Sequence, residues 1–556
     1  MLYLLFRHST PHWNTRTLLI TISIDLYLSL VIMYSLRVVF CILFYWSTTV
    51  ESARILAIVP TTSYSHQVFY RPLWIELANR GHEVLLVTTD PINNSSITNL
   101  KEIDLSEAYS SWNASVMEMV KLNDDKVGAI KLMLNTLYDI SRIELSNPEL
   151  QKLYHSTDEH FDLLFVEYLL PTMNIFKYKF DVPFIGVSSL DATVYGHSCV
   201  GNPIHSVLYP NYMLGFGDKL NFFERLMAVF FDNYMYLFGY FTMIPTLDAI
   251  VRDTMGEGIP SLATIGLDVD MIFANANPLF NPIRPYTPAT ISIGGGFHEV
   301  PVKPLPEDLK AFMDNAKEGV IYFSLGSNVK SREISPKTRE IIMQTFAQLP
   351  YKILWKFEDD TLPGKPDNVM IKKWMPQQDI LRHKNTLVFI TQCGLQSLEE
   401  ALFARVPLVA MPFFADQETN ARHVVSKGLG LQLDHKTLTT EQFKEAVLEV
   451  IKNDKYRNKV QELADLVQDQ PMKPLESAVW WTEYVLRHKG AKHLHGPKIP
   501  FYQQYYFDVL GFLGALIAIL LSLIYFICKK CYSFICGMVC CKKTKTVKHK
   551  MHKKNN

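Results

Sequence analysis

The residues of this chain best suited to chemistry stand between positions 387 and 421, LVFITQCGLQSLEEALFARVPLVAMPFFADQETNA. Positions 387–390 are a short apolar run of β-formers, fit for a parallel strand buried on both faces. Gly394 permits a sharp turn, 397–402 has helix-forming composition, and 406–410 is the next buried strand, ended by Pro412. A helix that opens directly after a strand presents unpaired N–H groups and the positive end of its dipole, which suits a phosphate. Glu400, Asp416 and Gln417 would then face hydroxyls. A diphosphate joined to sugars is the ligand this layout suggests. An ordinary βαβ unit with solvent-facing polar residues fits the same pattern.

Alternating strands and helices would have to position these residues. Arg54–Val59 reads as a buried strand, followed by a polar turn with His66, a helix over 71–80 stopped by Gly81, and the strand Glu83–Thr88. That rhythm argues a parallel sheet. Further strands are expected at 161–166, delivering Glu167 at the C-terminal end, and at 183–188. In open α/β sheets ligands gather at such ends. The Gly-then-Pro stretch 294–306 is the best domain boundary, and 319–327 opens a second set of strands and helices that carries Ser327. Nine aromatics fall within the twenty-one residues 221–241. They read either as core at helical spacing or as the wall of an apolar acceptor pocket. Glu224, Arg225 and Asp232 argue against a membrane span there.

A chain of 556 residues can build two or three domains, and its 55 basic and 55 acidic residues give no sign of a nucleic-acid partner. Of eight cysteines, five crowd the last thirty residues (Cys528, Cys531, Cys536, Cys540, Cys541), so no disulfide framework holds the body together. The uncharged apolar run 509–527 is long enough to span a bilayer, and the basic residues after it place the tail in the cytosol. Cys528 and Cys531 have CxxC spacing without the second pair that zinc needs; juxtamembrane palmitoylation is the alternative. At the other end, Arg37, the apolar stretch 38–46 and small Ser52-Ala53 form a signal-peptide layout if translation starts at Met33; an N-terminal membrane anchor is the rival. Asn93, Asn94 and Asn113 stand in N-x-S/T contexts. Asp268-Val-Asp270 has the DxD form of a metal-held sugar nucleotide, but preceding an apolar run it reads as a strand entry. GxGxxG, Walker, HExxH and GxSxG motifs are absent from the sequence.

The 387–421 stretch resembles the signature of the UDP-glycosyltransferases of animals, and Trp374-Met-Pro-Gln377-Gln-Asp-Ile-Leu-Arg-His383 resembles the same family's WxPQxxxLxH segment. The resemblance covers nearly all the chain after Ala53 and is greatest to insect members. One departure stands out: Gln392-Cys393 replaces the usual His-Gly or His-Cys before the glycine. The resemblance implies a GT-B fold of two facing Rossmann-like domains, 54–297 for the acceptor and 307–500 for the UDP-sugar. These follow an extension and signal peptide (1–53) and are joined by a linker (298–306). The helix after Pro471 crosses back onto the first domain, and the transmembrane helix 509–527 and basic tail 528–556 come last.

The family's catalytic histidine corresponds to His66, and Glu167 falls where vertebrate members have the partner aspartate. Trp374 would stack on uracil with Gln377 on its edge, and Glu400 would take the ribose hydroxyls. Ser327, Gln392, Gln396 and Ser397 would lie near the diphosphate, with Asp416 and Gln417 on the donor sugar. The implied activity is inverting, metal-independent transfer of a hexose, glucose before glucuronate, from a UDP-sugar to small lipophilic alcohols or phenols. No cofactor is implied beyond that co-substrate. A catalytically silent member that binds lipophiles is the alternative. The last residues, Lys553-Lys554-Asn555-Asn556, resemble the dilysine signal of endoplasmic-reticulum membrane proteins, against the plainer reading of a basic tail drawn to anionic lipid. Natural acceptor and oligomeric state, homo-oligomer included, are left open by the sequence.

Overall fold

The computed structural model describes residues 27–37, 52–122, 125–217, 219–497 and 499–552. Most of the expected signal peptide, and Lys553 and Lys554, lie outside the described residues. Seven parallel strands form the first sheet: β1 Arg54–Val59, β2 Glu83–Thr88, β3 Leu100–Asp104, β4 Leu163–Glu167, β5 Phe184–Ser188, β6 Met271–Ala274 and β7 Thr290–Ser292. Their order is β3-β2-β1-β4-β5-β6-β7. β1, β4 and β5 are near-continuous apolar runs because helices cover both faces of the sheet. The order reverses between β1 and β4, the place where a parallel sheet opens a crevice at its strand ends. His66 follows β1 and Glu167 ends β4, so the topology itself brings them together.

His66 does not lie in a loop. The helix expected over 71–80 begins seven residues earlier and spans Tyr64–Asn79, with Ser63 as its N-cap. Pro72, a residue typical of a helix's first turn, sits in its interior, and that misplaces the start when only the sequence is read.

The second sheet repeats the plan with six parallel strands, β8 Val320–Ser324, β9 Lys352–Lys356, β10 Val369–Lys372, β11 Thr386–Thr391, β12 Leu408–Ala410 and β13 Gly430–Gln432. Their order is β10-β9-β8-β11-β12-β13, with the reversal between β8 and β11. The loop after β8 carries Ser327, and the turn after β11 carries Gln392 and opens the helix Leu395–Phe403. Gly326 turns with φ +75°, and a Cβ there would come within 2.1 Å of the Gln392 amide nitrogen. Only glycine lets these two loops meet.

Two segments join the halves. Just before the linker, the chain passes Gly296 (φ +97°) so closely against Phe403 that a Cβ would lie 2.4 Å from its ring. The helix Pro474–His488 returns to the first half, where Ala478, Val479 and Val485 share a core with β1 and the helix Tyr64–Asn79. Arg80 donates to Glu483 at 3.0 Å beside that core.

The aromatic stretch is not core. The helix Phe222–Phe238 buries only Ala228 and Asp232, while Phe222, Phe223, Phe230, Tyr236 and others are exposed. Composition signals apolar surface but cannot say whether a partner covers it. Asp268 and Asp270 are structural: Asp268 pairs with Lys177 and Lys492, and Asp270 accepts from the Phe184 and Ala491 N–H groups.

Residues from Gly496 onward form a separate unit. Its helix runs Phe507–His552, and the part Phe507–Met538 is long and apolar enough to cross a membrane. The helix does not stop at Lys529 and Lys530, since lysine is a good helix former even where its charge ends an apolar span.

The returning helix makes a stability prediction. Val479→Asp would bury an unpaired carboxylate against β1 and should cost at least ~3 kcal/mol, read as a lower thermal midpoint. An unchanged midpoint would show that this helix is not part of the core.

Candidate active site

His66 occupies the first turn of the helix Tyr64–Asn79. Its Nδ1 lies 2.7 Å from Glu167 Oε1 and 2.7 Å from Ser189 Oγ. A carboxylate can only accept, so Nδ1 carries a proton, and in the neutral ring Nε2 keeps its lone pair. That tautomer leaves a base available to a third molecule. Glu167 is 1% exposed. The methylene it adds over aspartate does not prevent the contact, because Glu167 ends β4, the neighbour of the strand that leads to His66. Tyr70 approaches the same oxygen at 3.4 Å, and burial, reinforced by the charge of Glu167, pushes its hydroxyl well above the usual range.

A narrow cavity opens beside His66, walled by Ser189, Leu190, Asp191, Thr193 and Tyr212. None of the nine aromatics of 221–241 lines it. Burial alone would raise the Asp191 carboxyl, but His197 at 3.3 Å and Arg284 at 3.6 Å hold it below its ordinary value.

The second half faces this site with the remaining residues singled out from the sequence. Trp374 is 54% exposed and meets the edge of Tyr64 at 4.7 Å between ring centroids. Gln377 donates to Glu400 Oε2 (2.7 Å) and Ser397 Oγ (3.0 Å) and accepts from Tyr322 (3.2 Å). These three expected residues therefore form one cluster. Gln396 donates across the cleft to the Ser189 carbonyl at 2.9 Å, tying the helix Leu395–Phe403 to the residue that touches His66. Gln392 is buried, with its Oε1 accepting from Thr391 at 3.0 Å. Ser327 is half-buried next to Asn328, which donates to Ser63 at 3.0 Å. Gln417 uses its carbonyl oxygen to cap the Phe413 and Phe414 N–H groups. Burial raises the Asp416 carboxyl; the hydrogen bond from Asn420, 2.6 Å away, opposes this. Burial likewise pushes the Cys393 thiol up, leaving it inert.

Reading the sequence missed Ser189, Asn275, His298 and Glu399. Ser189 follows β5 directly, so its position at a strand end was the one available signal. The other three meet only in the folded chain. Glu399 accepts from Asn275 (3.2 Å) and from the Gly295 N–H (3.1 Å). His298 is buried between Glu400 Oε1 at 3.4 Å and Glu399 Oε2 at 3.7 Å, in ion-pair range with both nitrogens off hydrogen-bond geometry.

Burial alone would lower the His298 imidazole, but Glu400 first, then Glu399 and Glu299, raise it to about 9. Glu400 is held below the usual carboxylate range against its own burial, chiefly by His298, with Gln377 and Gln378 helping. For a group raised from 6.5 to about 9, the stabilisation is complete below pH 6.5 and is lost as pH rises through 9. Its size is on the order of 3 kcal/mol. His298→Gln should therefore melt below wild type near pH 6.5, and the gap should close towards pH 10. A gap that does not vary with pH would mean that no buried imidazolium contributes.

Known proteins share this architecture and sequence. Among solved structures, the calicheamicin glycosyltransferase CalG4 superposes with a TM-score of 0.54 at 17% identity, covering 79% of this chain and 99% of that one. Os79 from O. sativa gives 0.53 at 18%, covering 78% and 100%. At such identity these matches carry the fold, GT-B, and nothing further. The UDP-glycosyltransferase UGT5 of Dactylopius coccus is 31% identical over 88% of this chain and 94% of its own length. The ecdysteroid UDP-glucosyltransferase of Spodoptera littoralis nuclear polyhedrosis virus is 31% identical over 79% and 89%. Human UDP-glucuronosyltransferase 2B7 is 30% identical over 85% and 93%. The family model described as UDP-glucoronosyl and UDP-glucosyl transferase matches residues 54–545. This chain belongs to that family: it is a glycosyltransferase whose donor is a UDP-sugar.

Proposed function

We propose that the chain transfers a hexose, glucose in first place, from a UDP-sugar to the hydroxyl of a small lipophilic acceptor, with inversion to a β-glycoside. The observation that carries this reading is the 2.7 Å contact of His66 Nδ1 with buried Glu167, beside a cavity that adjoins the cleft. The acceptor hydroxyl enters the cavity, and His66 Nε2 takes its proton as the oxygen attacks the anomeric carbon. The bond from that carbon to the UDP oxygen breaks, and UDP leaves with the electron pair. Glu167 stabilises the imidazolium so formed, which is the logic of a base oriented by a third group.

The donor lies in the second domain, 307–500, with the acceptor in the first, 54–297. Trp374 stacks on uracil, Gln377 bonds its edge, and Glu400 takes the ribose hydroxyls. Ser327, Gln392, Ser397 and the N-terminus of the helix Leu395–Phe403 face the diphosphate, while Asp416 and Gln417 take the sugar. Gln396 joins the diphosphate group only by exchanging its bond to Ser189. Glucose is favoured over glucuronate by the names of the insect-derived and viral relatives, UDP-glucosyltransferases among them.

The apolar helix Phe507–Met538 supports a membrane anchor. The signal-peptide layout, exposed Asn93, Asn94 and Asn113, and the terminal lysines favour a type I glycoprotein of the endoplasmic reticulum with lumenal catalytic domains. A detoxifying role accords with lipophilic acceptors.

Turnover of UDP-glucose with a panel of phenols tests the activity. His66→Ala should lose at least about 10²-fold in kcat while binding UDP normally, because the donor site belongs to the other domain. Glu167→Gln should lose less, and the two losses should not add fully. Wild-type kcat in His66→Ala would move the base elsewhere. Replacing Lys553 and Lys554 by serine should shift the protein from the endoplasmic reticulum towards the cell surface with its microsomal activity intact; an unchanged distribution would remove the dilysine assignment.

A further inference from the structure

The linker residue His298 has no part in the roles assigned above, yet it touches the machinery on two sides. Its ring packs against Phe69, 5.4 Å between centroids, on the helix that begins beside His66. Its Nε2 faces Glu400 at 3.4 Å on the helix Leu395–Phe403. The charged groups around it are Glu399 and Glu400 on that helix and its own neighbour Glu299, which is paired with Arg382. The helix Tyr64–Asn79 offers it the ring of Phe69.

The electrostatics of this junction need a cation. Glu399 and Glu400 are consecutive carboxyls, both withdrawn from water, and like charges so placed cannot both ionise without compensation. Burial pushes Glu399 and Glu299 up, whereas Glu400 alone is held down. Two amides aim it, Gln377 at Oε2 (2.7 Å) and Gln378 at Oε1 (3.1 Å). Gln378 also donates to the His298 carbonyl at 3.2 Å, so the linker backbone and the ring approach one carboxylate together.

We propose that His298 is a positioning residue of the donor site, an imidazolium that keeps Glu400 charged and aimed so that both its oxygens accept from the ribose diol. The proposal rests on the assignment of Glu400 to ribose under Proposed function. A protonated Glu400 would offer one acceptor fewer and turn a donor towards hydroxyls that themselves donate. His298 never meets substrate, and it acts through Glu400.

The test compares binding of UDP and 2′-deoxy-UDP to the full-length protein in detergent, by calorimetry. Wild type should prefer UDP by about tenfold or more at pH 7. His298→Gln should cut that preference to about threefold or less, and should raise the donor KM more than it lowers kcat. Glu400→Gln should cut it equally, and the double variant should lose nothing further. The wild type offers the same test without substitution. The preference should fade between pH 7 and 10 as His298 deprotonates, while ionisation of the uracil N3–H, common to both nucleotides, cancels in their ratio. A preference that His298→Gln retains, or that persists unchanged to pH 10, overturns the proposal and leaves the ribose assignment standing. Equal binding of the two nucleotides by wild type overturns the ribose assignment and this proposal with it.

Discussion

A carboxylate at the end of a buried strand is expensive to keep charged, and Glu167 is such a group. Its compensation comes from His66 Nδ1 at 2.7 Å and, more weakly, from Tyr70. The same contact puts a proton on Nδ1, so one interaction answers a folding problem and orients the imidazole for the role of base proposed for it. It exists because the first sheet reverses its order between β1 and β4, which places the start of one helix over the end of the neighbouring strand. The apolar runs that make these strands, the helix that covers them and the returning helix that completes their core all bear on this contact.

The second sheet meets the first through polar contacts that converge near the dyad. Gln396 reaches the Ser189 carbonyl, Asn328 reaches Ser63, and Trp374 lies against Tyr64. Glu399 draws in Asn275 and the Gly295 amide that precedes the linker. Residues from the second half thus end on the residues that flank His66. In the proposed function, donor binding and placement of the base share a wall, and a change in the approach of the two halves would be felt by both. The buried charges at this wall come in compensated sets, Asp191 with His197 and Arg284, and Glu400 with His298.

Much of this was legible in the sequence, for physical reasons that also explain where legibility ended. β1 and β2 fall on their hydrophobic runs because parallel strands covered on both faces are continuously apolar. Glu167 was visible as the polar residue closing such a run. The helix carrying His66 started earlier than expected, since Pro72 imitates a first-turn proline while sitting inside. The aromatics of the helix Phe222–Phe238 looked like core because composition records affinity for apolar surroundings, not their presence. Ser189 and His298 could not be assigned from local pattern. One acts through its place beside a ring from another strand end, the other through two carboxylates far along the chain.

The central claim is that His66 removes the acceptor's proton in the step that forms the glycosidic bond. It is tested most directly by measuring kcat for a series of substituted phenols of graded acidity, with wild type and with His66→Ala. A strongly acidic phenol needs little help in losing its proton. The deficit of the variant should therefore be greatest for weakly acidic phenols and should shrink steadily as acidity rises. A deficit of the same size across the whole series would contradict the account, because His66 would then be supporting the site in some way other than as its base.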